Sequence, residues 1–234
     1  MLTVRGLQSG YGNTMIVRNF DFEISAGERV GLLGRNGVGK TTALKTMIGL
    51  IASREGEIRL DGQDITHLPA YSRAKAGIAY VPQGRMIFSS LSVQDNIKVS
   101  AYGAGIDNVD AGIAAMYEQF PILAEKRKQP GGQLSGGQQQ ILALARALVS
   151  NPKLILLDEP SEGIQPSIVE QIGEIITQLC DERGISVVLV EQNFDFAVKV
   201  VSKVFIMEKG KIVARDSSSS VRDNVELQQK YLGL

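Results

Sequence analysis

At 234 residues the chain suits one large α/β domain, or one domain with lobes, and can bury a sizeable core. Apolar residues at 44% and charged residues at 21% exclude an intrinsically disordered chain, and 25 basic against 25 acidic residues leave no global field to hold a nucleic-acid backbone. A single cysteine, Cys180, excludes an internal disulfide framework and a multi-cysteine metal site and fits a reducing, cytosolic setting; in its apolar-periodic stretch it is expected as a small core or helix-surface residue.

The opening MLTVRGLQSGYGN lacks the basic-then-apolar pattern of a signal peptide. Apolar runs such as Leu154–Leu157 and Val187–Val190 are too short to cross a bilayer, so any membrane role is expected to come through a partner. In chain order, strands are predicted at Leu2–Leu7, Ile16–Ile24 and Arg29–Leu33, then a helix at Lys40–Leu50. Strands Gly56–Leu60, with Asp61-Gly62 as a tight turn, and Gly77–Val81 follow. From Gln83 to Pro152 the periodicity is helical, as in Asp107–Phe120 and Gln138–Val149. We expect one domain over residues 1–234, in which a helical lobe (about 84–152) is inserted into an α/β core (1–83 and 153–234). The core resumes with strand Lys153–Leu157, helix Ile168–Arg183, strand Ser186–Val190 and helix Phe194–Val201. A hairpin of Val204–Met207 and Lys211–Ala214 turns at Lys209-Gly210, and Ser217–Ser220 make a turn capping a last helix from near Val221. Strand–helix alternation predicts a parallel sheet covered on both faces.

Residues Gly34-Arg35-Asn36-Gly37-Val38-Gly39-Lys40-Thr41 fit the P-loop pattern G-x-x-x-x-G-K-(S/T), between an apolar strand and a helix carrying Thr42 in its first turn. The glycines let the backbone turn tightly, so that the N–H groups of the loop and the positive end of the helix form a nest for phosphate oxygens. Lys40 adds a point charge near the β- and γ-phosphates, and the Thr41 hydroxyl suits Mg²⁺.

The run Lys153-Leu-Ile-Leu-Leu-Asp158-Glu159-Pro160 is a buried-type strand ending in two carboxylates, at the strand end where ligands sit in a parallel sheet. Alone, such a pair reads equally well as a solvated turn. Beside a P-loop, Asp158 is expected in the Mg²⁺ shell and Glu159 as the base that activates water. Leu134-Ser135-Gly136-Gly137-Gln138 is a second glycine-rich turn at a helix N-terminus, and by itself it reads as an N-cap serine with flexible glycines.

Together the P-loop, the Leu-Ile-Leu-Leu-Asp-Glu-Pro run and Leu-Ser-Gly-Gly-Gln resemble the ATP-binding-cassette family over essentially the whole chain. The resemblance implies an α/β P-loop NTPase core with an antiparallel β subdomain and an inserted helical subdomain. It implies ATP hydrolysis with Mg²⁺, in a head-to-tail dimer where Ser135, Gly136 and Gly137 of one subunit close over ATP held by the other. Tyr11 matches the aromatic that stacks on adenine, against the plainer reading of a surface turn residue. Gln83 matches the glutamine that touches Mg²⁺ and water and links the core to the helical lobe. Gly84-Arg-Met86-Ile87-Phe88 matches the stretch that receives a permease helix, with packing inside the lobe as the alternative for each apolar residue.

The chain departs from the family pattern at two places. Gln192 stands where most members carry a switch histidine, and Gln165 where an aspartate is usual. An amide donates a hydrogen bond but carries no proton at neutral pH, which favours Glu159 as sole base with Gln192 positioning. The one histidine, His67, is expected at the surface. Val-Glu191-Gln192-Asn193 resembles the ATPases of branched-chain amino-acid and amide importers, and Glu-Pro-Ser-Glu-Gly-Ile-Gln-Pro looks most like those of urea importers. That likeness implies uptake of a small polar solute, urea first and a branched-chain amino acid or short-chain amide as the alternative. It further implies permease subunits, a second and different ATPase chain, an indirect periplasmic or extracellular solute-binding protein, and a place on the cytoplasmic face of the membrane. Soluble members acting on DNA or ribosomes are disfavoured: only about one hundred residues separate P-loop and signature, without sustained heptads, there is one P-loop, and the charge is neutral. Lys40, Asp158 and Glu159 speak against a non-catalytic regulatory module.

Overall fold

The computed structural model describes residues 1–233, whose strands fall into two sheets. Strands β1 (Leu2–Tyr11), β2 (Thr14–Ile24), β4 (Ser53–Leu60) and β5 (Gln63–Asp64) form an antiparallel sheet in the order β2-β1-β4-β5. Strands β3 (Arg29–Leu33), β6 (Ile78–Val81), β7 (Leu154–Asp158), β8 (Ser186–Val190), β9 (Lys203–Glu208) and β10 (Lys211–Ser217) form the second, in the order β10-β9-β3-β8-β7-β6. Its strands run parallel except β10, which returns antiparallel to β9.

Strand β7 shows why these runs are apolar at every position. Leu154 and Leu156 enter one hydrophobic cluster while Ile155 and Leu157 enter another, on the opposite face. The first cluster joins the sheet to helix α1 (Lys40–Ile48) and the antiparallel sheet. The second joins it to the helices on the other side. Both faces are therefore covered, one by helices and the other by the antiparallel sheet with helix α1 between.

Helix α1 stops at Ile48, short of the expected Leu50, because Gly49 takes φ 84 and the N–H of Leu50 turns back to the Lys45 carbonyl. Helix α2 (Ala70–Lys75) leads into β6. Residues 84–152 carry α3 (Val93–Ala104), α4 (Val109–Gln119), α5 (Pro121–Glu125) and α6 (Gly136–Leu148), with an isolated bridge between Ser92 and Pro130. Helix α7 (Pro166–Arg183) holds Cys180 buried, and burial pushes its thiol up to about 11. After α8 (Phe194–Val200), Ser217 caps α9 (Ser218–Asp223), so the serine run starts the helix instead of preceding it. α10 (Val225–Leu227) and a π-helical turn at Gln228–Leu232 follow, and His67 is exposed as expected.

Candidate active site

Between β3 and α1 the chain wraps through Gly34, Gly37 and Gly39, at φ 153, 77 and 109. The three glycines answer different demands. A Cβ at Gly34 would lie 2.3 Å from the Met207 carbonyl oxygen, and one at Gly39 3.0 Å from Ile16 Cγ2, so packing against neighbouring strands excludes a side chain at both. At Gly37 the space is open and only the positive φ calls for glycine. Gly39 begins α1 with no side-chain cap and no acidic residue in the first turn, which leaves the positive helix end available to an anion.

The ammonium of Lys40 donates to the carbonyls of Gly34 (2.7 Å) and Arg35 (3.0 Å) and is thereby held along the loop. Burial pulls its pKa down, opposed by the nearby carboxylates of Glu159, Asp158 and Glu191. Arg35 sends its guanidinium away from the loop to the Gln229 carbonyl (3.2 Å), so its backbone alone faces the nest, and Asn36 is exposed. Val38 accepts from the Gly210 N–H (2.9 Å), which clasps the loop to the β9–β10 turn. Thr42 is buried in α1, where its carbonyl accepts from the Thr46 hydroxyl.

At the end of β7, Asp158 is 1% exposed and both its oxygens are engaged. The Thr41 hydroxyl donates to Oδ1 and the Tyr80 hydroxyl to Oδ2, each at 3.0 Å. Burial raises the carboxyl's pKa, and the two hydrogen bonds oppose it. Burial likewise raises that of the Tyr80 phenol, with the charge of Asp158 adding to it. An oxygen donor set of hydroxyl and carboxylate suits a hard divalent cation. Among the described residues no group of three His, Cys, Asp or Glu side chains could hold a metal, so Mg²⁺ here would depend on phosphate oxygens to complete its shell.

Glu159 stands beside Asp158 with φ 49, an uncommon backbone state for a residue with a side chain. Its carboxylate lies between two amides. Gln192 Nε2 donates to Oε1 at 2.7 Å and Gln83 Nε2 to Oε2 at 3.0 Å, with Gln83 also reaching Glu162 (3.1 Å). Tyr11, 52% exposed, opens with Thr41, Gln83 and Asp158 on one cavity of about 730 Å³, a volume within the usual range for ligand sites.

The chain thus brings together the P-loop, Asp158, Glu159, Gln83, Gln192 and Tyr11, but not Ser135, Gly136 and Gly137. These last begin α6, where Ser135 and Gln138 form a reciprocal capping box. A Cβ at Gly137 would meet Ile168 Cγ2 at 2.6 Å, so within the subunit this glycine answers to α7 packing. Gln165 begins α7 without a side-chain cap bond. Ile87 turns inward to pack on the helical cluster, whereas Met86 (70%) and Phe88 (43%) stay exposed, so the apolar stretch splits between packing and surface.

Three participants escape a reading of the sequence by motif. Tyr80 is legible only as a strand residue, Arg85 as a loop cation, and Glu191 as the residue before the expected switch position. Arg85 reaches Gln139 Oε1 (3.3 Å) and the Glu162 and Gly163 carbonyls (both 3.4 Å), joining the loop after Gln83 to α6 and to the loop after Glu159.

Known proteins agree with this architecture. The ABC transporter family model matches residues 17–162, and the chain belongs to the ABC transporter family. As an ABC-type ATPase it couples ATP hydrolysis to transport. It is 40% identical over 233 residues to the high-affinity branched-chain amino acid transport ATP-binding protein BraG of Pseudomonas aeruginosa, covering 100% of both chains. It is 36% identical over 236 residues to the lipopolysaccharide export system ATP-binding protein LptB of Haemophilus influenzae, covering 100% of this chain and 97% of that one. The solved structure of cbiO1 from Clostridium perfringens, part of the ABC transporter complex cbiONQ, superposes with a TM-score of 0.83 at 26% identity, covering 98% and 93% of the two chains. No helix among the described residues is long and apolar enough to cross a membrane.

Proposed function

We propose that the chain is the ATP-hydrolysing subunit of an importer for branched-chain amino acids or a similar small solute. The observation that carries its chemistry is the Glu159 carboxylate held between the Gln83 and Gln192 amides, one residue from an Asp158 bonded to Thr41. The backbone N–H groups of Gly34–Thr42 and the Lys40 ammonium grip the triphosphate, and Tyr11 stacks on adenine. Thr41, Asp158 and Gln83 would hold Mg²⁺, which would supply positive charge against that developing in the reaction. Glu159 takes a proton from the attacking water as its oxygen bonds to the γ-phosphorus, and the electron pair of the broken bond leaves with ADP. Gln83 and Gln192 orient that carboxylate and carry no proton themselves.

In this reading the chain works as a head-to-tail dimer with a second, different ABC ATPase, whose nucleotide meets Ser135, Gly136 and Gly137. Exposed Met86 and Leu50, which line one cavity with Arg146, and exposed Phe88, whose ring lies under the Arg146 guanidinium at 4.6 Å, offer an apolar surface to a permease helix. That surface would seat the chain on the cytoplasmic side of the membrane, with a solute-binding protein acting indirectly through the permease. The branched-chain reading takes precedence over urea because BraG, similar over its full length, carries that name. The chain is also similar to an export ATPase, LptB, and in this reading the partners set the direction of transport.

The test is ATPase stimulation in vesicles holding the chain with its own permease, companion ATPase and binding protein. Stimulation by leucine, isoleucine or valine supports the proposal. Stimulation by urea or an amide alone would return the substrate to the other solutes, and solute movement outward would overturn import.

A further inference from the structure

The three residues between β8 and α8 divide their tasks. Asn193 caps α8 through the Phe196 N–H (3.1 Å), and Gln192 is exposed and reaches Glu159. Glu191 is 2% exposed and turns into the protein. Its Oε1 accepts from the Ser161 N–H (2.9 Å), and its Oε2 from the N–H groups of Gln192 (3.0 Å) and Asn193 (3.2 Å). One carboxylate therefore joins the loop that follows Glu159 to the loop that carries Gln192. On the other side of the same junction, the Glu159 N–H donates to the Val190 carbonyl (2.9 Å).

Three backbone donors converge on two oxygens, which a carboxylate satisfies because both of its oxygens only accept. A glutamine here would turn an NH₂ toward at least one N–H group. Burial works against the charge, pushing the carboxyl's pKa up, while the hydrogen bonds from Ser161, Asn193 and Gln192 oppose that shift. No salt bridge to Glu191 is formed among the described residues; its oxygens are met by the loop N–H groups, with the Lys40 ammonium near enough to feel its charge. What this buried charge holds in place is the pair of loops bearing Glu159 and Gln192.

We propose that Glu191 is a positioning residue for ATP hydrolysis: by fixing the backbone of Gln192 relative to the Ser161 loop, it holds the Gln192 amide on Glu159. The proposal rests on the reading of Glu159 as the base.

The test compares steady-state MgATP turnover and equilibrium ATP binding, in the chain assembled with its companion ATPase and permease, for Glu191→Gln, Glu191→Asp, Gln192→Ala and the double variant Glu191→Gln/Gln192→Ala. Glu191→Gln is expected to lower kcat by about ten- to a hundredfold through misplacement, with the ATP Kd held within about twofold. Because Glu191 acts through Gln192, the same change in the Gln192→Ala background is expected to cost less than about twofold. Glu191→Asp keeps the charge on a shorter stem and recovers part of kcat; if Glu191→Gln fails to fold, a lowered kcat at unchanged Kd in Glu191→Asp supports the proposal. Unchanged kcat in both single Glu191 variants, full additivity in the double variant, or a Kd loss that accounts for the turnover loss overturns it. Glu159→Gln in the same series separates the two levels. If that variant is inactive while both Glu191 variants turn over normally, the positioning role alone falls. If it stays active, the base assignment falls and the positioning role with it.

Discussion

The amide of Gln192 donates to Oε1 of Glu159 at 2.7 Å, the position from which most relatives of this fold class are expected to present a histidine. An amide in that place fixes the carboxylate without competing for its proton. Gln192→Ala should therefore lower kcat by about tenfold or more with little change in the ATP KM, since the lost contact serves the reaction rather than nucleotide binding. Steady-state phosphate release over a range of ATP concentrations checks this.

The P-loop glycines should respond unequally to alanine. Gly34→Ala drives a Cβ toward the Met207 carbonyl and should cost about 3 kcal/mol or more, with ATP binding lost. Gly37→Ala meets open space and carries only the penalty of a positive φ, about 1 kcal/mol. Thermal unfolding beside ATP titration distinguishes the two.

Asp158 places stability and activity in opposition. Burial raises its carboxyl pKa above the ordinary value, against the hydrogen bonds from Thr41 and Tyr80. A carboxyl raised by folding binds its proton more readily in the folded chain than in the unfolded one. Stability from this group therefore falls as pH rises from the ordinary carboxylate pKa through the raised folded value, and the full penalty stands above that window. Asp158→Asn removes the penalty. It should raise Tm near neutral pH by about 2–4 °C for each kcal/mol relieved, with the gain fading as pH falls below the window. ATP turnover should be lost. Scanning fluorimetry across pH with a parallel ATPase assay tests both halves.

Arg73 supports the P-loop helix from its far end. Its fully buried guanidinium donates to the carbonyls of Thr46 (2.7 Å), Met47 (2.9 Å), Thr66 (2.7 Å) and Leu68 (2.9 Å), and two of these close the last turn of α1. Arg73→Met removes these four hydrogen bonds and should cost about 2–4 kcal/mol, read as a lowered Tm in thermal unfolding.

Such long-range partnerships are where a reading of the sequence stops. Strands β3 and β8 were legible to the residue because Arg29–Leu33 and Ser186–Val190 are short, apolar and bounded by turns. The phosphate loop was legible because its glycines, lysine and threonine lie in one short run. Tyr80 and Asp158 are far apart in the chain and meet only through the β6–β7 pairing, and Ser161 meets Glu191 only where β7 and β8 end side by side. No local pattern announces either pair. Gly137 shows the converse: a motif glycine whose shape within the subunit is demanded by Ile168 as well. Helix α3 carried a readable start, Ser92 capped onto Asp95, which periodicity alone passed over.

If Glu159 activates water beside a phosphate held by the loop of Lys40, single-turnover phosphate release from Glu159→Gln, with ATP affinity measured on the same preparation, reads that role alone. Affinity should be kept while the release rate falls by about a hundredfold or more. Release at the wild-type rate with ATP bound would contradict the role.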